Sequence, residues 1–371
     1  MAKEQARGKD KKVPTTPAGL RQQVDRVDRE LVQLLNLRAR LAAKLTSVES
    51  ADASNHQLPA DADGGQVAKL IEGSKGPLGG DAIKAIYREL FSATAAIAHV
   101  RKVAFLGPAY SYSHVATLHR FGQSIHPIPV GTISAVFEEV IRGHADFGVV
   151  PIENSTDGRI ADTLDMFTRL PVKICGEVQL RIHHCLLANC PRGDISEVYS
   201  RPQALSQCRN WIAKHLPSAR AIEVTSTSTA AQLAKDKPNS AAIASAQAAT
   251  YYGLGVLAPN IEDNAANVTR FAIIGQEPSH RTGRDRMSLM FEVEHRPGGL
   301  ADAINVLKRN RLNMTWIESF PIANSDGHYM FFVELDGHQS DAKNKRAITA
   351  LERKCVRLDV LGSYERGEPV D

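Results

Sequence analysis

Three stretches of the chain gather hydroxyl and amide side chains where a strand-like run gives way to a helical pattern: residues 107–114 (GPAYSYSH), 151–158 (PIENSTDG) and 225–231 (TSTSTAA). Such a segment offers free backbone N–H groups, hydroxyl donors and the positive end of a helix dipole. Together these hold an anion without any formal cation. Helix capping is the ordinary task of a lone Ser or Thr there. Three such segments within one α/β pattern, whose loops converge at the carboxyl ends of the strands, point instead to a binding site. A metal is not expected. Cys175, Cys185, Cys190, Cys208 and Cys355 lack the paired spacings of zinc sites, and neighbouring His183 and His184 would face opposite sides of a strand.

The elements that must position these segments fall into parts, as 371 residues would suggest. Leu20, Val24, Val27, Leu31, Leu34, Leu41, Leu45 and Val48 recur at steps of four and three, the stripe of a long amphipathic helix. Residues 50–65 read as a loop, and Asp81 is placed to cap a second helix bearing Ile83, Ile86, Leu90, Phe91, Thr94 and Ile97. Two helices with such wide apolar faces cannot cover each other, so dimerisation is expected. From Arg101, short β-branched runs alternate with helical patterns, which predicts a mostly parallel α/β sheet or two such lobes. Past the polar linker QEPSHRTGRDR, residues 287–366 follow a βαββαβ order of the ferredoxin-like kind. The net charge of +4 is spread over both signs, which argues against nucleic-acid binding. The basic cluster Lys3, Arg7, Lys9, Lys11 and Lys12 reads as a solvated tail over residues 1–18. No run is long enough to cross a membrane, and a cytoplasmic protein is expected.

In order along the chain, GPAYSYSH, GVVPIENS, SRPQALSQC (200–208), TSTSTAAQLA, YGLGVL and NIEDNAANVTRFAIIG (260–275) resemble the motif set of the prephenate dehydratases over nearly all of residues 101–278. The resemblance implies a cofactor-free, two-lobed α/β catalytic domain, periplasmic-binding-protein-like, with the chain crossing between lobes twice. It implies conversion of prephenate to phenylpyruvate in L-phenylalanine biosynthesis. Carried over onto this sequence, Thr269 donates a proton to the leaving ring hydroxyl, and Asn154 and Gln203 are the polar partners of catalysis. Ser111, Ser155, Ser226 and Thr227 are further substrate donors, and Glu153 supports its loop. Arg270 and Phe271 contact substrate or hold the Thr269 loop, an ion pair of Arg270 with Glu262 or Asp263 being the structural alternative. Tyr110 stands where the family has Gly, and because Tyr takes a positive φ at a cost, the Ser111 loop is expected to be reshaped.

The βαββαβ unit, residues 285–366, resembles the ACT domain, an α+β amino-acid-sensing module. Gly298, Gly299, Leu300, Glu318 and Ser319 match its phenylalanine-binding region, which implies L-phenylalanine as allosteric ligand; Phe320 replaces the family's usual Arg. Residues 19–100 resemble the all-α chorismate mutase domain, in which arginines matching Arg21 and Arg38 bind substrate carboxylates. Arg21 could equally pair with Asp25 at the next turn. The remaining mutase positions fall on Glu49, Asp63, Gly64 and Ala98, and acids in place of Lys and Arg reverse the field a dianion needs. The expectation is a vestigial mutase domain serving a homodimer or homotetramer. Competing readings are a bifunctional mutase–dehydratase, an arogenate dehydratase, and a two-lobed solute-binding protein. The last is disfavoured by the intact Thr269-Arg270-Phe271 motif.

Overall fold

The computed structural model describes residues 16–49, 65–156, 158–322 and 328–371. Most of the expected tail, most of the 50–65 loop, and Asp63 and Gly64 lie outside the described residues. Helix α1 (Pro17–Glu49) begins where the Thr16 hydroxyl accepts the Gly19 N–H at 3.2 Å and Pro17 occupies the first helical position. It belongs to a compact unit of its own, Met1–Ala53. Its stripe of Leu20, Val24, Val27, Leu31, Leu34, Leu41 and Leu45 is exposed.

The second unit, Ser54–Asp371, opens with α2 (Gly65–Gly73), which the sequence did not announce, and α3 (Gly80–Ala98). Asp81 does not cap α3; Gly79 holds that position, and Asp81 sits in the first turn facing Lys84. Then follow β1 (Lys102–Leu106), α4 (Tyr112–Phe121), β2 (His126–Val130), α5 (Ile133–Ile141), β3 (Phe147–Asn154), β4 (Gly158–Arg159), α6 (Ala161–Arg169) and β5 (Lys173–Arg181). The chain next builds β6 (Cys185–Ala188), β7 (Glu197–Ser200), α7 (Pro202–Gln207), α8 (Arg209–His215), β8 (Arg220–Glu223), α9 (Thr227–Asp236), β9 (Ser240–Ala244), α10 (Ala246–Tyr252) and β10 (Gly255–Ala258). It returns to the first lobe as β11 (Val268–Gly275).

The first lobe is a sheet in the order β5-β11-β3-β1-β2, and the second is β10-β6-β9-β7-β8. Neither is mostly parallel. β11 runs antiparallel to both of its neighbours, and β6 is antiparallel to β9 and β10. The cause is the double crossing: a strand that re-enters a sheet from the other lobe arrives from the opposite end. The module that follows comprises β12 (Asp285–Glu292), α11 (Gly299–Arg309), β13 (Met314–Pro321), β14 (Tyr329–Asp336), α12 (Ala342–Glu352) and β15 (Arg357–Glu365). Its wholly antiparallel sheet, β13-β14-β12-β15, is the ferredoxin-like order expected. A short β16 (Pro369–Val370) then joins β5 in parallel.

One core runs through two of these layers. Phe137, Val140, Leu164, Phe167, Ile174 and Ile274 of the first lobe pack with Met290, Met330, Phe332 and Tyr364 of the C-terminal sheet. At roughly 25 cal/mol per Å² of apolar surface, a continuous core of this kind fixes that sheet against the lobe that carries Thr269.

Candidate active site

Two segments carry the chain between lobes, residues 182–184 outward and 259–267 back, and they are bound to each other. The Ile182 N–H donates to the Asn267 carbonyl and the Ile261 N–H to the His184 carbonyl, both at 2.8 Å. Buried Glu262 accepts the His184 N–H at 2.8 Å and contacts His183 Nδ1 at 2.7 Å. Beside this hinge β11 begins, and its register sets Thr269 opposite Asn154 at the end of β3.

Hydrogen-bond direction here follows from one donor that cannot reverse. The Thr156 backbone N–H donates to Asn154 Oδ1 at 2.9 Å, so the Asn154 amide nitrogen must face the other way. Asn154 Nδ2 then donates to Thr269 Oγ1 at 2.7 Å and to Asn267 Oδ1 at 3.0 Å. With its oxygen so occupied, Asn267 donates through Nδ2 to Gln207 Oε1 at 3.0 Å. Thr269 is therefore an acceptor within the protein. Among the described residues nothing takes its proton, and the Gln207 Nε2 hydrogens have no acceptor either. Among the described residues the site holds two unspent donors, one hydroxyl and one amide, and no cation of theirs touches them.

Of the residues singled out from sequence, Thr269 and Asn154 meet directly. Gln203 does not join them. It is exposed on α7 and accepts from Arg201 Nε at 2.9 Å, while Gln207, one helical turn on, reaches the cluster. Asn267, two residues before Thr269 and so on the same side of an extended chain, was inside a quoted motif yet not singled out. The expected hydroxyl donors are largely committed to structure. Ser111 caps α4 and donates to the Leu106 carbonyl at 3.1 Å. Ser155 bridges the Ala266 carbonyl and the Val268 N–H. Ser226 caps α9, and Thr227 is buried behind it.

Arg270 and Phe271 are corrected by the structure. Phe271 lies in the hydrophobic core, away from any cleft. Neither Glu262 nor Asp263 pairs with Arg270: the former holds the hinge histidines, and the latter accepts the first N–H groups of α8. Its guanidinium instead pairs with Glu153 at 3.1 Å, Glu177 at 3.4 Å and Glu334 of β14, under the Trp316 ring. Arg286 of β12 closes the ring on Glu177 at 2.7 Å. Burial lowers the Arg270 pKa, and Glu334, Tyr364 and Glu177 together outweigh it, so the pKa is raised.

Tyr110 takes the left-handed backbone conformation that Gly adopts freely, at φ 63°. Its ring stacks on Tyr251 of α10 at 3.8 Å, and Ser228 of α9 donates to the Ala109 carbonyl at 2.7 Å, so the first-motif loop is tied to the second lobe. The left-handed conformation costs about 1–2 kcal/mol. An aromatic stack returns about 0.5–1.5 kcal/mol beyond the area it buries.

In the C-terminal module Gly298 opens α11 at φ 84°, and a Cβ at Gly299 would come within 2.6 Å of the Glu294 carbonyl. Leu300 packs in that module's core. Glu318 and Ser319 lie on edge strand β13, where Arg159 of β4 donates to the Ser319 carbonyl at 2.7 Å and pairs with Glu318 at 3.5 Å. A cavity of about 170 Å³ beside them is lined by Arg159, Leu164, Phe320 and Pro321, among others, and not by the Thr269 cluster. Arg21 and Arg38 both lie on α1, Arg21 exposed and Arg38 less so, and Ala98 ends α3.

A relative from Aquifex aeolicus named bifunctional chorismate mutase/prephenate dehydratase is 40% identical over 352 residues, covering 94% of this chain and 97% of its own. The chain belongs to the prephenate dehydratase family. The family model for prephenate dehydratase matches residues 103–279, and that for type II chorismate mutase matches residues 20–99. A prephenate dehydratase from Mycobacterium sp. (strain JLS) is 33% identical over 281 residues, 72% of this chain and 89% of its own. Among solved structures, prephenate dehydratase from Arthrobacter aurescens in complex with L-Phe superposes with a TM-score of 0.67 at 32% identity, over 71% of this chain and 90% of that one. Family membership sets aside the reading as a solute-binding protein.

Proposed function

We propose that residues 101–278 convert prephenate to phenylpyruvate, carbon dioxide and water, with Thr269 as the proton donor. In that reaction the bond to the ring carboxylate breaks, its electron pair enters the ring, and the ring C–O bond breaks. The departing hydroxyl takes up a proton and leaves as water. Aromatisation supplies the driving force, so the protein has to supply a donor aimed at the leaving oxygen and a fixed pose. The observation that carries this reading is the bond from Asn154 Nδ2 to Thr269 Oγ1, which leaves the threonine proton free for substrate. Thr269→Ala is expected to lower kcat for prephenate by roughly 10²–10⁴-fold while the far-ultraviolet circular dichroism and melting temperature stay unchanged. Wild-type turnover in that variant would remove the assignment.

Residues 285–366 are proposed as a feedback module for L-phenylalanine, the ligand in the Arthrobacter relative's structure. Support comes from the ferredoxin-like sheet and from the Gly298–Gly299 start of α11, whose backbone a side chain would crowd. The exposed apolar stripe of α1 supports a homodimer assembled through residues 19–100. Mutase activity admits two readings. The match to the type II mutase model favours a bifunctional protein, whereas Glu49 and Ala98, with Asp63 and Gly64 outside the described residues, favour a lost site. We favour the loss. In the same assays, chorismate is expected to remain unconsumed while prephenate turns over, and consumption of both would establish the bifunctional reading.

A further inference from the structure

The directed chain at Thr269 does not stop at Gln207. Gln207 Oε1, already an acceptor from Asn267, lies 3.0 Å from His184 Nε2, so that nitrogen must carry a proton. The other ring nitrogen, Nδ1, lies 2.9 Å from the Tyr112 hydroxyl. His184 is buried, and burial lowers its pKa and favours the neutral ring. A neutral ring protonated on Nε2 is bare at Nδ1, and the one Tyr112 hydroxyl proton is shared between that nitrogen and the His183 carbonyl at 2.8 Å. The series from the Thr156 N–H to His184 Nε2 thus has one consistent set of directions. It passes from the end of β3 and the start of β11 through the return hinge (Asn267) and the second lobe (Gln207) to the outward hinge (His184), which Tyr112 of α4 backs.

We infer that His184, as the tautomer with its proton on Nε2, is a positioning residue that holds the Gln207 carbonyl and, through Asn267 and Asn154, keeps the Thr269 proton turned toward substrate. The physical reason is that the Gln207 carbonyl has two anchors among the described residues, Asn267 Nδ2 and His184 Nε2. Asn267 itself is held the right way round from the other side, by Asn154 Nδ2 and the Thr156 hydroxyl. Without the imidazole donor the Gln207 side chain keeps one anchor and can swing away from Asn267 Nδ2. That loosens the amide that accepts from Asn154, and with it the bond that orients Thr269. The inference rests on Thr269 being the proton donor.

Three variants and one spectrum test it in the full-length protein. His184→Leu removes the donor at similar bulk. It is expected to lower kcat for prephenate about tenfold, the kinetic value of one lost neutral hydrogen bond, with KM changed less than twofold. His184→Gln, whose side-chain nitrogen can reach the Nε2 position, is expected to recover kcat to within about threefold, as one restored hydrogen bond should. A nitrogen-15 spectrum of histidine-labelled wild type should show a neutral ring protonated on Nε2, assigned by its loss in His184→Leu or, if that variant does not fold, in His184→Gln. A proton on Nδ1, unchanged kcat in His184→Leu, or no recovery in His184→Gln would each overturn the inference. Thr269→Ala, run alongside, separates the two levels: its full activity would sink the proton-donor reading itself, whereas an inactive Thr269→Ala beside a fully active His184→Leu would sink only the positioning role.

Discussion

Gln203 and Gln207 show how finely the site is decided by single residues. They sit one turn apart on α7, with the same side chain, and only their partners differ: Arg201 for the first, Asn267 and His184 for the second. Gln207→Ala should reduce kcat/KM for prephenate roughly 10- to 100-fold, the loss of one or two hydrogen bonds near reacting atoms. Gln203→Ala should stay within about twofold of wild type, as surface changes do; steady-state assays on the two variants check this, and the reverse ranking would return the role to Gln203. The motif SRPQALSQC was legible as part of the site, but sequence spacing could not choose between two glutamines on one short helix. Thr269 and Asn154 were legible because both stand inside motifs that carry the family resemblance. The hydroxyl-rich segments misled in detail, since Ser111 and Ser226 serve as the caps that general capping chemistry would assign them.

At the level of elements, β11 carries Thr269 toward the hinge and the next side chain, Arg270, into a cluster shared with β14 and β12. A charge this buried is tolerated because Glu153, Glu177 and Glu334 surround it. Removing one of these carboxylates leaves the buried guanidinium short of a partner. Glu334→Ala is expected to destabilise the protein by about 3 kcal/mol, read as a lower urea midpoint at unchanged slope; a midpoint equal to wild type would mean that water or a neighbour replaces the carboxylate. Many of the strands and helices were legible from periodicity, including the whole order of the C-terminal unit, whereas α2 and the short strands β4, β7, β10 and β16 were not. The partners of Arg270 were not, because Glu334 lies 64 residues away in a separately recognised module and no local pattern links them. The antiparallel placing of β11 was equally hidden, being a product of topology rather than of its residues.

For the whole molecule, several histidines are folded in as neutral rings. Burial lowers the pKa of His114 and His184, and burial with Arg88 and Arg120 lowers that of His119 to about 4. The unfolded chain binds these protons more readily, near the ordinary histidine value of about 6.5. Stability is therefore complete above that pH and declines as pH falls below it, for His119 until about 4. Between pH 7.5 and 5.5 the loss from His119 alone should be about 1 kcal/mol. Denaturant titrations at the two pH values, with His119→Gln as control, should show a smaller drop in the variant, and equal drops would locate the effect elsewhere.

The place of β11 between β5 and β3 also sets a timetable for synthesis. By residue 258 the second lobe has every strand of its sheet. The first lobe, although its strands begin at residue 102, has an open seam between β3 and β5 until residues 268–275 have left the ribosome. The later-made lobe can thus finish first, and the earlier-made one waits with two unpaired strand edges, the kind of surface that chaperones shield and neighbouring chains capture. The strand that closes this seam is the one bearing Thr269, so a nascent chain gains its proposed proton donor and the join between β3 and β5 in the same event.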